Sequence, residues 1–318
     1  MSRVDVPDGP DAGLPWHYGD PVREQRRLEA GEGVVDLSNR DVISVSGPQR
    51  LGWLHSLTSQ VLDTLEQGAG TTAYVLSPQG HVEHALHGVD DGETFWAWTE
   101  PGQGEALVAW LDSMRFMMRV EVALRPELAI VWRRGEPQGQ GRHRLGADSL
   151  GGYETFVPRG DVDGLVAEAP VGVWAYEARR IEHAVPRIGH DTDARTIPNE
   201  LGVPSAAVAL DKGCYRGQET VARVHNLGRP PRRLVGLHLD GSLSMLPTPG
   251  APLHLATEPD GKPVGFVGLS ARHHELGPIA LGLVKRTTDT AADLVVDGIA
   301  AGQEVLVDPE VGVHFRAR

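Results

Sequence analysis

The sequence predicts an α+β fold: antiparallel strands with segregated helices in interlocked N-terminal units, followed by a C-terminal antiparallel β-barrel. Three patterns carry the prediction. Between residues 41 and 132, strand-like stretches are interrupted by helix-period stretches at 47–61 and 104–114. From Val173 to Val185 the apolar spacing is again helical. After Pro230-Pro231 only short β-type runs follow, at Leu234–Leu239, Pro252–Ala256, Val264–Leu269, Ile279–Val284 and Glu304–Val307, with turn sequences between them.

The elements read in order as follows. The first twenty residues, rich in Gly, Pro and Asp, suggest a flexible or surface-draped arm. A short charged helix covers Val22–Ala30, and Val34–Ser38 is a strand or turn. Asp41–Ser46 alternates like a half-buried strand, and Gly47-Pro48 opens a helix with Leu51, Leu54, Leu57 and Val61 on one face. Ser77-Pro78-Gln79-Gly80 turns the strand Thr72–Leu76 into His81–Val89, and Asp90-Asp91-Gly92 turns that into Thr94–Trp98. Strands at 119–124 and 128–132 follow the 104–114 helix, and residues 135–141 read as a surface loop. On the 173–185 helix, Glu177 and Glu182 border the apolar stripe, Arg180 is within reach of Glu177, and Pro186 ends the run. The expected domains are an arm over 1–20, an α+β region over 21–230 and the barrel over 231–318.

Composition narrows the function. The 318 residues are 40% apolar and 23% charged, with 30 basic and 43 acidic residues and a formal net charge of -13. So acidic a chain gains little from phosphate neutralisation, which argues against nucleic acid as a partner. No apolar run reaches the ~18–20 residues of a membrane span, and the first residues lack the apolar core of a signal peptide, so a cytoplasmic location is expected. The chain holds one cysteine, Cys214, which forms no internal disulfide and cannot alone house an iron–sulfur cluster. His81 and His87 share a strand face but lie about 20 Å apart, and His84 faces away, so no metal site is expected there. His273-His274 reads as a solvated loop pair.

The densest chemistry lies in Asp211-Lys212-Gly213-Cys214-Tyr215-Arg216-Gly217-Gln218-Glu219-Thr220, followed by Arg223, His225, Arg229, Arg232 and Arg233. Lys212 and Arg216 flank a thiol whose thiolate they would favour, and Gly213 and Gly217 permit a tight ligand-contacting loop. A tight turn with solvated charges accounts for the same residues, and composition alone leaves both readings open.

Lys212–Glu219 resembles the K-G-C-[YF]-x-G-Q-E signature of the YgfZ family, folate-binding relatives of the glycine cleavage aminomethyltransferase, or T-protein. Further pieces recur in the family's order: Gly33–Ser38, Gly47-Pro48, Ser77–Gly80, Arg180-Ile181-Glu182, Gly189-His190-Asp191, Pro198-Asn199-Glu200 and Ile279–Arg286. The resemblance implies α+β units around a central cleft that binds tetrahydrofolate, and a role in iron–sulfur cluster assembly or repair with client enzymes or cluster assembly proteins as partners. It implies Cys214 as the working thiol, with Lys212 and Tyr215 beside it. Glu182 is implied to bind the pterin, whose ring N–H and exocyclic amine match a carboxylate's two oxygens. Arg180, Glu177, Gly213, Gly217, Gln218 and Glu219 are candidate cofactor contacts. Arg223 and Arg229, with Arg232 and Arg233, are candidates for the folate's glutamate tail. The T-protein's catalytic Asp maps to His84, which counts against glycine cleavage chemistry and leaves open whether the protein is an enzyme. Folate-dependent aminomethyl transfer or demethylation is the alternative function.

Overall fold

The computed structural model describes residues 2–137, 141–145, 150–202, 204–227 and 229–310. Met1 of the expected arm, 138–140 of the expected loop and 311–318 of the expected barrel region lie outside the described residues. The chain divides into two compact units: residues up to Leu76 with Glu83–Tyr176 and Ser205–Arg216, and Ser77–Val82 with Glu177–Pro204 and the chain from Gly217 onward. The division therefore does not fall at residue 230: the segment around Glu182 and the helix after Cys214 group with the barrel.

The chain begins with β1 (Val4–Asp5), β2 (Pro15–His17), α1 (Pro21–Glu29), β3 (Val34–Asp36), β4 (Asp41–Ser46) and α2 (Arg50–Leu57). It continues through β5 (Gly70–Leu76), β6 (Val82–Asp90), β7 (Thr94–Thr99), α3 (Gly104–Ser113), β8 (Glu121–Leu124) and β9 (Leu128–Arg134). Then come β10 (His143–Leu145), β11 (Gly152–Pro158), α4 (Val162–Glu168), β12 (Pro170–Val171), α5 (Val173–Glu182), α6 (Pro204–Ala207) and α7 (Gln218–Leu227). The last strands are β13 (Arg232–Leu239), β14 (Pro252–Leu255), β15 (Gly265–His273), β16 (Gly277–Lys285), β17 (Leu294–Val296) and β18 (Ile299–Val305).

In the first unit, the described strands build one sheet in the order β5-β6-β7-β4-β8 and another in the order β10-β11-β9-β3-β12. Period-two apolar residues of the first sheet, among them Ile43, Val45, Ala73, Val75 and Phe95, pack against Leu54, Leu107 and Leu111 of α2 and α3. α1 starts where the Asp20 carboxylate accepts from Arg23 N at 3.0 Å, ahead of a Pro that fits the first turn. α2 stops at Leu57 rather than running to Val61. Thr58 turns extended, and its hydroxyl donates to Leu54 O at 2.8 Å.

The N-terminal segment is packed rather than flexible. β1 and β2 pair antiparallel, Leu14 is buried, and the Trp16 ring stacks on Trp174 at 4.8 Å. The buried Asp11 carboxylate takes a 2.8 Å bond from Arg40. Gly and Pro content signalled turns here, and the sparse apolar anchors decide the outcome.

In the second unit β13-β16-β15-β14-β17-β18 close into a barrel, as the short runs predict. Alternation along β13 sends Val235, Leu237 and Leu239 to the barrel interior and Leu234 outward, onto Ala178 and Ile181 of α5. α5 ends at Glu182, before Val185: Val185 N bonds back to Arg180 O and Ala184 N to Ile181 O, each at 3.0 Å, with Ala184 left-handed at φ 55.

Candidate functional site

The thiol loop lies in the first unit and is held by Lys212. Its ammonium donates to the carbonyls of His55 at 2.5 Å, Thr58 at 2.8 Å and Gln60 at 2.8 Å, so each of its three N–H bonds has an acceptor at the C-terminal end of α2. Burial pulls the Lys212 pKa down to about 8, opposed by the charge of Asp63, and the group is protonated at neutral pH. The sequence placed this charge beside the thiol, whereas the structure commits it to the backbone: Lys212 is a pin for the loop. Its stem runs beside Tyr215, with Nζ 5.1 Å from the ring centroid.

Cys214 is thereby presented to solvent. Tyr215, next in the chain, is buried, its hydroxyl has no hydrogen-bond partner among the described residues, and burial raises its pKa to about 12. Arg216 turns outward, donating to Glu83 of β6 at 2.7 Å and standing 5.7 Å from the Trp110 ring. His84, which the resemblance aligns with the T-protein's Asp, is half-buried, its Nδ1 has no hydrogen-bond partner among the described residues, and burial lowers its pKa, which favours the neutral imidazole.

The motif's second half opens α7 in the second unit. Gly217 takes a positive φ of 80°, but Gly213 does not, so only one of the two glycines is demanded by backbone conformation. Gly80, at φ 83°, closes the Ser77–Gly80 turn so near α7 that a Cβ there would meet Thr220 at 2.9 Å. Two separate sequence motifs thus pack on each other. Gln218 and Glu219 stand in the first turn of α7, and Glu219 pairs with Arg223 four residues on at 2.9 Å, both exposed.

The second unit also holds the α5 carboxylates. Arg180, 1% exposed, donates to Asp191 at 2.7 Å, to Val185 O at 2.6 Å and to Glu177 at 2.8 Å. Asp191, wholly buried, further accepts from Arg187 N and Leu269 N. Arg187 reaches Glu177 as well, at 3.3 Å. Arg180 and Glu177, expected as cofactor contacts, are therefore spent on an internal ion network, because a buried guanidinium needs its carboxylates. Glu182 is different. Its side chain is 30% exposed, and its contacts are His183 Nδ1 and His273 Nε2, each at 3.5 Å. His273 is buried at the end of β15 rather than solvated, its Nδ1 accepting from Glu275 N and Leu276 N. Sequence reading missed this neighbour because the two are 91 positions apart and only the packing of α5 on the barrel joins them.

The four arginines expected for a glutamate tail have different settings. Arg223 and Arg229 are exposed, Arg232 is paired with Asp193 at 2.7 Å and Glu200 at 2.9 Å, and Arg233 points into the barrel. Alternation along β13 sends Arg232 and Arg233 to opposite faces.

No family model matches the chain. It is 26% identical to a chloroplastic Arabidopsis thaliana protein named as a transferase, over 85% of this chain and 69% of the relative. It is 27% identical to the aminomethyltransferase of Moorella thermoacetica, over 86% and 84%. The crystal structure of the glycine cleavage system aminomethyltransferase T from Bartonella henselae superposes with a TM-score of 0.79 at 18% identity, covering 96% of this chain and 94% of that one. The fold is that of the glycine cleavage aminomethyltransferase, as the resemblance implied, and the Moorella relative is itself named an aminomethyltransferase.

Proposed function

We propose that the protein is a tetrahydrofolate-binding member of the YgfZ branch of this fold, which supports iron–sulfur cluster assembly or repair in client enzymes through Cys214. The presentation of the one cysteine supports it most: Lys212 spends its charge on three carbonyls to hold a loop that leaves the thiol in solvent. A structural cysteine would be packed away. Glu182 suits a pterin edge, since it is a partly exposed carboxylate with only long contacts to two imidazoles. Folate bound there would supply the one-carbon or pterin chemistry; the chain supplies the acceptor for its N–H groups.

The test is complementation of a strain lacking the gene. Cys214→Ala is expected to abolish support of iron–sulfur enzymes while leaving tetrahydrofolate binding intact. Full rescue by Cys214→Ala would remove the thiol from the function.

One observation favours the alternative, a folate-dependent aminomethyltransferase or demethylase. His84 is half-buried with its pKa lowered by burial and has no partner at Nδ1 among the described residues, a setting suited to moving a proton. Formation of methylene-tetrahydrofolate from a methylamine donor, lost in His84→Ala, would establish that reading over the first.

A further inference from the structure

In the second unit, the connection from β16 to β17 and the neighbouring ends of β14 and β15 border a cavity of about 580 Å³, a volume in the range of small-molecule sites. Two successive turns shape the connection: Thr288 N donates to Lys285 O at 3.0 Å and Ala292 N to Asp289 O at 3.2 Å. The strand ends are tied to it, since Lys285 N donates to Val264 O at 2.7 Å and Ala256 N to Asp293 O at 2.9 Å. Leu255, Val264 and Ala292 give the wall an aliphatic part. Leu255 and Val264 rest on the barrel core, and all three remain partly accessible.

Three charged residues, Lys285, Asp289 and Asp293, line the same cavity, and all three are exposed and so within reach of a guest. They stand on different sides of it. Lys285 Nζ donates to Pro263 O at 2.8 Å, which holds the ammonium on the β15 side and leaves two of its three N–H bonds. Asp293 sits on the β14 side through its backbone tie to Ala256, and its carboxylate makes no hydrogen bond among the described residues. Asp289 accepts from Ala291 N through Oδ1 at 3.0 Å, which leaves Oδ2. Among the described residues none of the three forms an ion pair, so opposite charges line one cavity without meeting. This setting selects by charge: an anion meets two carboxylates, a cation meets an ammonium, and a molecule carrying both signs finds partners for both. The aliphatic part of the wall adds a preference for an apolar body.

We propose that this cavity binds a zwitterionic amino acid with an aliphatic side chain, its carboxylate received by Lys285, its ammonium by Asp289 and Asp293, and its side chain by Leu255, Val264 and Ala292. The site belongs to the barrel and is independent of the folate reading. Titration calorimetry of the full chain with leucine, glycine, leucinamide and N-acetylleucine at matched low ionic strength tests it. Leucine is expected to bind saturably and more tightly than glycine, which lacks the apolar body. Leucinamide, without the carboxylate, and N-acetylleucine, without the ammonium, are each expected to bind at least about tenfold more weakly, the scale of one charge-assisted hydrogen bond. Lys285→Gln is expected to weaken leucine about tenfold without weakening leucinamide, and Asp293→Asn to weaken leucine without weakening N-acetylleucine. Both side chains are exposed, so neither change removes a core contact. Absence of saturable leucine binding, equal binding of leucine and its two single-charge derivatives, or unchanged leucine affinity in both variants would each overturn the proposal.

Discussion

Lys212 is the residue whose role the structure changes most. In sequence it stands two positions from the only cysteine and reads as an activating charge, whereas in three dimensions its ammonium terminates α2. Lys212→Met should therefore lower stability by about 2–3 kcal/mol, because buried carbonyls lose their donors. Chemical denaturation measures it, and an unchanged midpoint would contradict the pin. Tyr215→Phe should behave oppositely: its hydroxyl is buried without a partner, so removing it should leave stability unchanged or raise it by up to ~1 kcal/mol. Any functional loss in that variant then reports chemistry rather than folding. Asp191→Ala should cost about 3–5 kcal/mol, since it strips a buried guanidinium of its shortest carboxylate contact. Cys214, Glu182 and the Arg180–Glu177 pair were legible as notable residues. Which of them stay exposed and which pair with each other was not, because that depends on contacts with Asp191, Arg187 and His273, which no local pattern encodes.

At the scale of elements, periodicity served best where one face is buried and the other solvated. Asp41–Ser46 and the strand after Asp90-Asp91-Gly92 are found within a residue of their expected limits, as is the 104–114 helix. β11, α4 and α7 have no counterpart among the expected elements, although α7 begins within the cysteine motif itself. Its many polar and charged residues leave too few apolar positions to mark the helical spacing. The link between Asp193 and Arg232 of β13 makes a pH prediction. Hydrogen bonds from Arg232, Thr196 and the Arg195 amide outweigh burial and hold the Asp193 carboxyl at about 2, below its ordinary 3.8. The unfolded chain then binds this proton more readily than the native one, so the contribution is fully present above about pH 4 and lost as pH falls from 3.8 towards 2. Acid denaturation of Asp193→Asn against the parent checks it. The variant should show a smaller loss of stability over that window, and an identical loss would contradict the pairing.

For the whole molecule, the α+β class and the C-terminal barrel were readable from the change of period at Pro230-Pro231, and the structure has both. The grouping of residues was not readable. The Ser77–Gly80 turn and the Glu182 segment belong with the barrel, through packing that no local pattern encodes. The proposed folate-linked chemistry rests on a fold shared with an aminomethyltransferase, on a pinned loop bearing an exposed thiol and on a partly exposed carboxylate. The most direct measurement is tetrahydrofolate binding by titration calorimetry to the parent and Glu182→Gln. The account predicts saturable binding to the parent, weakened at least about tenfold by Glu182→Gln as a charged acceptor of two N–H bonds is lost. No saturable binding, or equal affinity in both proteins, would contradict it.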